Sequence, residues 1–259
     1  MTTNFADGEA YWVDVSAPDV PKTAEFYCEL FGWEAQDLGE EAGHYTMLSL
    51  GGKTFGAVGP CMSADVTPSW MTYFKVADAH ATTKAVEAAG GTVRVPPMDV
   101  FDQNTLAQYT DPAGAQFAVS QPRKHQGAEV WNVAGTPSWV ELNVQNAEPS
   151  ESFYRQVFGW SESTEKMEGG TYRMFSAAGQ ERNFAGLFEL SAVEGLEHVP
   201  PHWLVYFEVA DCDATYAKAT SAGARAVTEP QTLPGVGRFG SLMDANGAVF
   251  AVITGESGS

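Results

Sequence analysis

The stretch WVDVSAPDVPKTAEFYCELFGWE at residues 12–34 has a counterpart, WVELNVQNAEPSESFYRQVFGWS, at residues 139–161. At this offset of 127 residues the two stretches share seven identities, which are two Trp, one Val, a Phe-Tyr pair, one Phe and one Gly. Self-similarity at a fixed spacing is the sequence signature of a repeated structural unit. The chain therefore contains two related copies of one unit.

Two further segments repeat at an offset of 133 residues. Residues 70–90 match residues 203–223 at ten of 21 positions, and DPAGAQFAVS from Asp111 matches DANGAVFAVI from Asp244 at six of ten. Each copy is then about 120 residues long, an ordinary domain size. We predict a first domain over residues 1–122, a linker over 123–137 with charge, glycine and proline but no clear period, and a second domain over 138–259.

The composition narrows the class of partner. The chain has 259 residues, 44% of them hydrophobic, with 14 basic and 33 acidic residues and a formal charge of -19. This charge repels phosphate backbones and anionic membranes, so we expect neither nucleic acid nor a membrane as a partner. No stretch approaches the length of a membrane span and no leader is recognisable, so we expect a cytoplasmic protein. Three widely spaced cysteines, Cys28, Cys61 and Cys212, suggest neither disulfides nor a zinc site.

The first half of each copy has the pattern of a strand, a helix and further strands. YWVDVS alternates apolar and polar residues, which predicts a strand. Asp19 then offers a helix start, apolar residues from Val20 to Phe31 recur at helical spacing, and Gly32 predicts the helix end. YTMLSL and TFGAVG predict two strands joined by a turn at GGK.

The second half of each copy repeats that pattern. After the strand MTYFKVA, Asp78 predicts the N-cap of an alanine-rich helix that ends at Gly90. LAQYTD and QFAVS predict the strands that follow. Each copy thus contains two βαβββ modules, and the whole chain contains four. We predict an α+β fold of tandem duplicated domains.

These residues resemble a known family. The motif V-A-D-x-x-A-T, the helix end A-A-G-G and the turn D-P-A-G-A are similar to those of the vicinal oxygen chelate superfamily, which includes glyoxalase I, extradiol dioxygenases and bleomycin-resistance proteins. The paired F-Y-x-x-x-F-G-W helices and the linker motif G-A-x-x-x-N-x-x-G-T-P-x-W look closest to two-domain actinobacterial members, such as a mycobacterial culture-filtrate antigen. The resemblance implies that each domain forms a curved mixed sheet around a cup, which is where function resides in the family.

The resemblance also locates the positions of a divalent metal in metal-dependent members. Those ligands are imidazole or carboxylate groups on inward-facing strand positions. Here the matching positions carry side chains that cannot bind a hard divalent ion, and Glu189 lies past the end of the site. We therefore expect no metal and no cofactor, unless the strand register differs by one residue. The matching positions are Trp12, Met71 and Ala118 in the first copy and Trp139, Leu204 and Ala251 in the second.

Strand parity predicts what lines the two cups instead. Alternate residues of a strand share one face, so each cup receives aromatic side chains together with one or two polar groups. This is the composition of a small-molecule pocket. The first cup is predicted to contain Trp12, Asp14, Ser16, Met71, Tyr73 and Lys75, and the second Trp139, Glu141, Asn143, Leu204, Tyr206 and Glu208.

The acidic residues of these faces have two readings. Asp14 either forms a structural ion pair with Lys75 or belongs to a site, because a carboxylate on a half-buried strand needs a partner or water. Glu141 faces Glu208 in this register, which would raise the pKa of one carboxyl and make acid–base catalysis conceivable. The tryptophans either fill the cups or stack on a ligand.

Other candidate groups lie in loops. The glycine-rich LPGVGRFG from Leu233 lacks the context of a nucleotide site and fits a loop over the second cup, from which Arg238 could reach an anionic ligand group; Thr105 is its counterpart in the first copy. The five histidines have no metal-ligand spacing and are predicted to lie on the surface. They are His44, His80, His125, His198 and His202.

Two functions of different classes follow. In the first, the protein is a monomer or weak homodimer that binds or sequesters a small, partly hydrophobic aromatic metabolite or antibiotic without metal. In the second, it is a metal-independent enzyme of secondary metabolism, of hydroxylase, cyclase or isomerase type, with Asp14 or Glu141 as general base and Tyr73 or Tyr206 as proton donor. A metal-dependent glyoxalase or dioxygenase is the third reading, and it requires the shifted register.

Overall fold

The first repeat contains eight strands, two α-helices and a short 3-10 helix in a computed structural model that describes residues 4–63, 66–167 and 170–256. Its first module consists of β1 (Ala10–Ala17), α1 (Val20–Phe31), β2 (Glu34–Asp37), β3 (Thr46–Leu50) and β4 (Lys53–Pro60). Its second module consists of β5 (Trp70–Lys75), α2 (Ala79–Ala88), β6 (Thr92–Val100), β7 (Asn104–Thr110) and β8 (Gln116–Pro122).

The second repeat has the same element order. Its first module consists of β9 (Pro137–Val144), α3 (Ala147–Phe158), β10 (Ser161–Met167), β11 (Gly170–Ser176) and β12 (Asn183–Glu189). Its second module consists of β13 (His202–Glu208), α4 (Cys212–Ser221), β14 (Arg225–Leu233), β15 (Gly237–Met243) and β16 (Val249–Gly255). The prediction of four βαβββ modules in two tandem copies is confirmed.

Helices α1 and α2 begin at the predicted N-cap residues and α1 ends at the predicted Gly32, whereas α2 ends at Ala88 with Ala89 as its C-cap, just before the predicted Gly90. The Asp19 carboxylate accepts a hydrogen bond from the backbone N–H of Lys22, and Asp78 caps α2 in the same way through Ala81. Gly32 follows α1 with a φ of 76°, a left-handed conformation in which glycine has no side chain to clash. Short caps of this kind stop each helix where the next strand must begin.

Each repeat folds into one eight-stranded mixed sheet. The first sheet has the order β2-β3-β4-β1-β5-β8-β7-β6, and the second has the order β10-β11-β12-β9-β13-β16-β15-β14. The first strands of the two modules pair antiparallel at the centre, so Trp12 lies opposite Tyr73 and Trp139 lies opposite Tyr206. The residues predicted to line each cup therefore meet at the middle of its sheet.

The two repeats interlock through their helices. Phe31 of α1 lies 5.2 Å from Phe207 of β13 between ring centroids, and Phe158 of α3 lies 5.5 Å from Phe74 of β5. Phe74 and Phe207 are fully buried. One continuous apolar core thus spans both repeats, and each sheet turns its other face toward its cup.

The aspartates of the repeated turns fasten this interface. The Tyr27 hydroxyl of α1 donates to Asp244 at 3.0 Å, and the Ser150 hydroxyl of α3 donates to Asp111 at 3.1 Å. Each aspartate also accepts backbone N–H groups of its own turn.

No helix in the described part of the chain is long and apolar enough to cross a membrane.

Candidate functional site

The first cup contains a hydrogen-bonded set of four side chains centred on Asp14. The hydroxyls of Tyr45 and Tyr73 both donate to Asp14 Oδ2 at 2.9 Å. The Trp12 indole N–H in turn donates to the Tyr45 hydroxyl at 3.2 Å. We call this set the first tetrad. It satisfies the polar tips of three aromatic side chains and places a carboxylate at the centre of an apolar surface.

The second cup contains the matching set, which we call the second tetrad. The Tyr172 hydroxyl donates to Glu141 Oε2 at 2.7 Å, and the Tyr206 hydroxyl donates to Glu141 Oε1 at 3.0 Å. The Trp139 indole N–H donates to Tyr172 at 3.1 Å. The same Trp–Tyr–carboxylate–Tyr arrangement therefore exists in both repeats, at matched positions of matched strands.

Strand parity correctly predicted most of the side chains that meet in each tetrad. These are Trp12, Asp14 and Tyr73 in the first and Trp139, Glu141 and Tyr206 in the second. Tyr45 and Tyr172 were missed as site residues. Both precede the third strand's inward-facing methionine by two residues, and they recur at the repeat offset of 127. That recurrence is the signal that could have identified them.

The acidic side chains of the two tetrads differ in length, and the residue opposite each on the neighbouring strand differs in size accordingly. Ala57 of β4 lies beside Asp14, whereas Gly186 of β12 lies beside the longer Glu141. A Cβ added at Gly186 would overlap the Tyr172 hydroxyl and would lie 3.0 Å from Trp139 Nε1. The second tetrad thus requires a glycine where the first accepts an alanine.

Burial raises the pKa of both carboxyls. It raises the pKa of Asp14 to about 6, although the hydrogen bonds from Tyr45 and Tyr73 act in the opposite direction. Burial likewise raises the pKa of Glu141, against hydrogen bonds from Tyr172, Tyr206 and Asn143. The tyrosines keep their protons, since burial and the adjacent carboxylate raise the pKa of each.

The oxygens of the two carboxylates differ in how they are occupied. Glu141 is 8% exposed and has both oxygens engaged, because Asn143 also lies 3.4 Å from Oε1. Asp14 is partly exposed and takes both tyrosine bonds on Oδ2, so within the described residues no hydrogen bond reaches its Oδ1. The first cup therefore presents an available acceptor, and the second does not.

The walls of the cups differ in polarity. In the second cup Leu204, Tyr206 and Ala251 form a cluster separate from the main core, surrounded by partly buried apolar side chains. We call these three residues and the four side chains around them, Trp139, Phe239, Val249 and Ile253, the apolar patch. The first cup has Leu106, Gln116 and Ser120 at the positions of Phe239, Val249 and Ile253.

The linker covers one side of the first cup. The His125 ring packs edge-on against Trp12 with centroids 4.5 Å apart, and the backbone N–H groups of Ala128 and Glu129 donate to Tyr11 and Thr54. Trp12 is consequently 5% exposed, whereas Trp139 is only partly buried. The expectation that His125 lies on the surface is wrong, because the linker carries it onto Trp12.

Of the two readings of Asp14, the structural ion pair with Lys75 does not form. Lys75 Nζ donates to the Phe5 carbonyl at 2.8 Å and lies 3.8 Å from Asp7. Glu208 does not face Glu141 either, since its carboxylate accepts the backbone N–H of Gly255 at 3.1 Å. Both side chains lie at strand ends, where neighbouring backbone groups attract them. Desolvation rather than a like charge therefore raises the pKa of Glu141.

Arg238 is held by a helix rather than extending over the second cup. Its guanidinium donates twice to Asp213 of α4, at 2.5 and 2.7 Å. The glycine-rich stretch before it is the turn of the β14–β15 hairpin. The expectation that Arg238 reaches a ligand in the cup is therefore not supported by its position. Its counterpart Thr105 donates to Asp99.

The donor set of each cup does not fit a divalent metal ion. Among the described residues each cup offers one carboxylate, Asp14 or Glu141, and tyrosine hydroxyls already bind it. The positions expected for ligands hold Trp12, Met71 and Ala118 in the first sheet, where Trp12 and Ala118 lie opposite Tyr73 and Met71 lies opposite Asp14. Among the described residues no group of three or more His, Cys, Asp or Glu side chains lies close enough to hold an ion. A metal would need at least three such ligands in a typical site.

Comparisons with known proteins agree with this architecture. The model of the Glyoxalase/Bleomycin resistance protein/Dioxygenase superfamily matches residues 11–119 and 136–252. The "Anthracycline biosynthesis protein DauV" of Streptomyces sp. (strain C5) is 38% identical over 266 residues, which cover 97% of this chain and 94% of that protein. The "Putative glyoxylase CFP32" of Mycobacterium tuberculosis (strain CDC 1551 / Oshkosh) is 35% identical over 257 residues, which cover 97% and 96%.

A solved structure shares the fold. The Mn(II)-bound glyoxalase from Novosphingobium aromaticivorans superposes with a TM-score of 0.64 at 15% identity, covering 96% of this chain and 82% of that chain. At this identity the likeness extends to the fold and not to the site.

Proposed function

The chain belongs to the Glyoxalase/Bleomycin resistance protein/Dioxygenase superfamily, and from that premise we propose that it binds a small, partly hydrophobic aromatic metabolite or antibiotic in the second cup without a metal. The apolar patch is the observation that carries this proposal. It lies on the face of the second sheet that lines the cup, apart from the main core, and four of its side chains are partly buried. Surface of this kind marks a binding site when it is contiguous.

The chemistry of the patch selects a flat ligand. Trp139 and Phe239 offer aromatic faces, and Val249 and Ile253 offer branched aliphatic surface beside them. Aromatic rings stack or pack edge to face with such groups, which adds about 0.5–1.5 kcal/mol per pair beyond area burial. The tyrosine bonds and Asn143 occupy the Glu141 oxygens, so affinity comes from apolar contact rather than from the carboxylate.

The relatives support an aromatic ligand by name. DauV is called an anthracycline biosynthesis protein. Anthracyclines are fused-ring aromatic molecules, and a ligand of this shape suits the aromatic and aliphatic walls of the apolar patch. We infer a role in secondary metabolism for this chain, with ligand binding as its activity.

Equilibrium titration with 2-naphthol tests the proposal, because this probe is flat, neutral and fluorescent. We expect saturable binding by the whole chain, and we expect Ile253→Ser to weaken it about tenfold through lost apolar contact. Val227→Ser is the matched control, since Val227 is an exposed residue of β14 outside the apolar patch. Equal loss in both variants, or no effect of Ile253→Ser, would contradict the assignment to the second cup.

A second candidate function, proton transfer, is favoured by a specific observation in the first cup. Asp14 has an available oxygen and a pKa raised to about 6, and Ser16, two residues along the same strand, is partly exposed. A carboxylate of this kind can act near neutral pH as a general base toward an acidic C–H or O–H of a substrate. Tyr45 and Tyr73 hold it in place.

Deuterium exchange into 1-tetralone, a bicyclic aromatic ketone with acidic protons beside its carbonyl, tests this second function. In D2O the native chain should exchange those protons at least tenfold faster than Asp14→Asn, as followed by NMR. Glu141→Gln is the control and should exchange at the native rate. Equal rates for the native chain and Asp14→Asn would leave only the binding function.

We also propose that the chain acts as a monomer. The first helix of each repeat already packs on the sheet of the other repeat, through Phe31 on Phe207 and Phe158 on Phe74. Sedimentation at micromolar concentration should therefore give the mass of one chain.

A further inference from the structure

A cavity lies where the N-terminal segment, the linker and the second repeat meet, and it shares Trp139 with the second tetrad. Its volume is about 220 Å³. Four aromatic residues line it, and its polar lining includes Ser138 at the start of β9 and Arg182 just before β12. The aromatic residues are Phe5, Trp131, Trp139 and Phe184.

Ser138 distinguishes this place from its counterpart in the first repeat. Tyr11 occupies the matched strand position there, is fully buried and donates through its hydroxyl to the Ser120 carbonyl. The Ser138 hydroxyl is also buried, yet within the described residues it has no hydrogen-bond partner. A buried hydroxyl without a partner is costly unless something binds it. The serine thus leaves both open volume and an unused polar group.

Arg182 supplies further donors at the same cavity. Its Nη2 donates to Glu9 Oε1 at 2.8 Å, and Glu9 is buried and also accepts the backbone N–H of Ala6. The other guanidinium N–H groups have no partner among the described residues. Because Glu9 already balances the charge of Arg182, a neutral acceptor suits this position better than a second carboxylate.

We propose that this cavity binds a neutral, single-ring aromatic carbonyl compound, with the ring among the aromatic side chains and the carbonyl oxygen accepting from Ser138 or Arg182. The size agrees with one substituted ring, since an apolar cavity of about 150 Å³ holds benzene. Trp139 belongs both to this cavity and to the second tetrad. A ligand in the cavity would therefore contact Trp139, which also forms part of the wall of the second cup.

Titration of the whole chain with benzamide tests the proposal, with calorimetry for stoichiometry and the fluorescence of Trp131 and Trp139 as a second readout. We expect one saturable site per chain. Ser138→Ala should weaken binding about tenfold while leaving the melting temperature unchanged or higher, because it removes a buried hydroxyl without a partner. Ser138→Tyr should abolish binding by filling the cavity as Tyr11 does in the first repeat.

Controls separate this site from the second cup. Ser221→Tyr, on the exposed end of α4, should bind benzamide as the native chain does. Ile253→Ser should weaken 2-naphthol but not benzamide, so failure of the binding function and failure of the cavity are distinguishable. Absence of saturation, unchanged affinity in Ser138→Ala, or tighter binding of benzoate than of benzamide would overturn the proposal.

Discussion

The two cups have the same hydrogen-bonded centre and different walls. Each has a tryptophan, two tyrosines and a carboxylate joined in the same order. The first cup has the shorter Asp14 with both tyrosine bonds on one oxygen and the other oxygen available, and the second has Glu141 with both oxygens engaged. Polar Gln116 and Ser120 stand where the second cup has apolar side chains. Duplication has thus retained the scaffold of the site while its two copies acquired different chemistry: an acceptor in one, an apolar surface in the other.

The largest expected effect comes from exchanging the small residue beside each carboxylate. Gly186→Ala drives a methyl group into Tyr172 and Trp139, and overpacking of this kind costs about 1–3 kcal/mol or more. Ala57→Gly in the first cup adds no clash and costs about 1 kcal/mol through backbone entropy. Urea unfolding of both variants measures the difference. Similar losses would show that the two tetrads are packed alike.

A smaller difference is expected when one tyrosine hydroxyl is removed from each tetrad. Tyr172→Phe leaves Glu141 Oε2 without a donor, so we expect a loss of about 2–3 kcal/mol in unfolding free energy. Tyr45→Phe leaves Tyr73 on Asp14 Oδ2, so the loss should be about 1 kcal/mol. Denaturant midpoints at neutral pH report both. A larger loss of unfolding free energy in Tyr45→Phe than in Tyr172→Phe would show that Asp14, not Glu141, depends more on its tyrosine donors.

The raised pKa of Asp14 predicts a pH dependence that belongs to the first cup. Between the ordinary Asp value of 3.8 and about 6, the folded state binds more protons at this carboxyl than the unfolded state. Stability from this group is therefore present at low pH and is lost as the pH rises through about 6, by at most about 1.4 kcal/mol per pH unit.

The difference in unfolding free energy between the native chain and Asp14→Asn isolates that dependence, because both chains share all other titrating groups. Relative to the variant, the native chain should lose stability from pH 4 to pH 6 and then level off. A difference that is constant with pH, or that changes in the opposite direction, would show that Asp14 is not held in a desolvated place.

The smallest expected effect concerns the residue beside Glu141. Asn143→Ser gives the second cup the side chain that Ser16 supplies in the first, and removes a long hydrogen bond of 3.4 Å to Oε1. We expect a loss below about 1 kcal/mol, since the tyrosines still bind both oxygens. Unfolding in urea measures it. A loss comparable to that of Tyr172→Phe would mean that Asn143, rather than Tyr206, secures Oε1.

Strand periodicity was sufficient to predict much of this molecule. The repeat established four modules, and alternation along β1 and β9 placed Trp12, Asp14, Trp139 and Glu141 on the cup faces, because side-chain direction in a strand follows from parity alone. Tyr45 completes the first tetrad from just before β3, a strand whose cup-facing residues do not follow from the alternation along β1 and β5. Its recurrence as Tyr172 was available in the sequence.

Side chains at strand ends and in loops were not predictable in the same way. Lys75 binds a carbonyl of the N-terminal segment, and His125 reaches Trp12 through the linker. Both contacts depend on the paths of segments that have no period in the sequence. The cavity at Ser138 depends on three such segments meeting, and a serine in an alternating strand gives no sign of it.

The central claim is that the second cup binds a flat aromatic molecule through apolar walls and without a metal. The most direct test is the dissociation constant for 2-naphthol measured before and after exhaustive dialysis against EDTA, with divalent metal content determined in both samples. We predict the same affinity in both, with metal far below one ion per chain. Loss of binding after dialysis, restored by Mn²⁺ or Fe²⁺, would contradict the account.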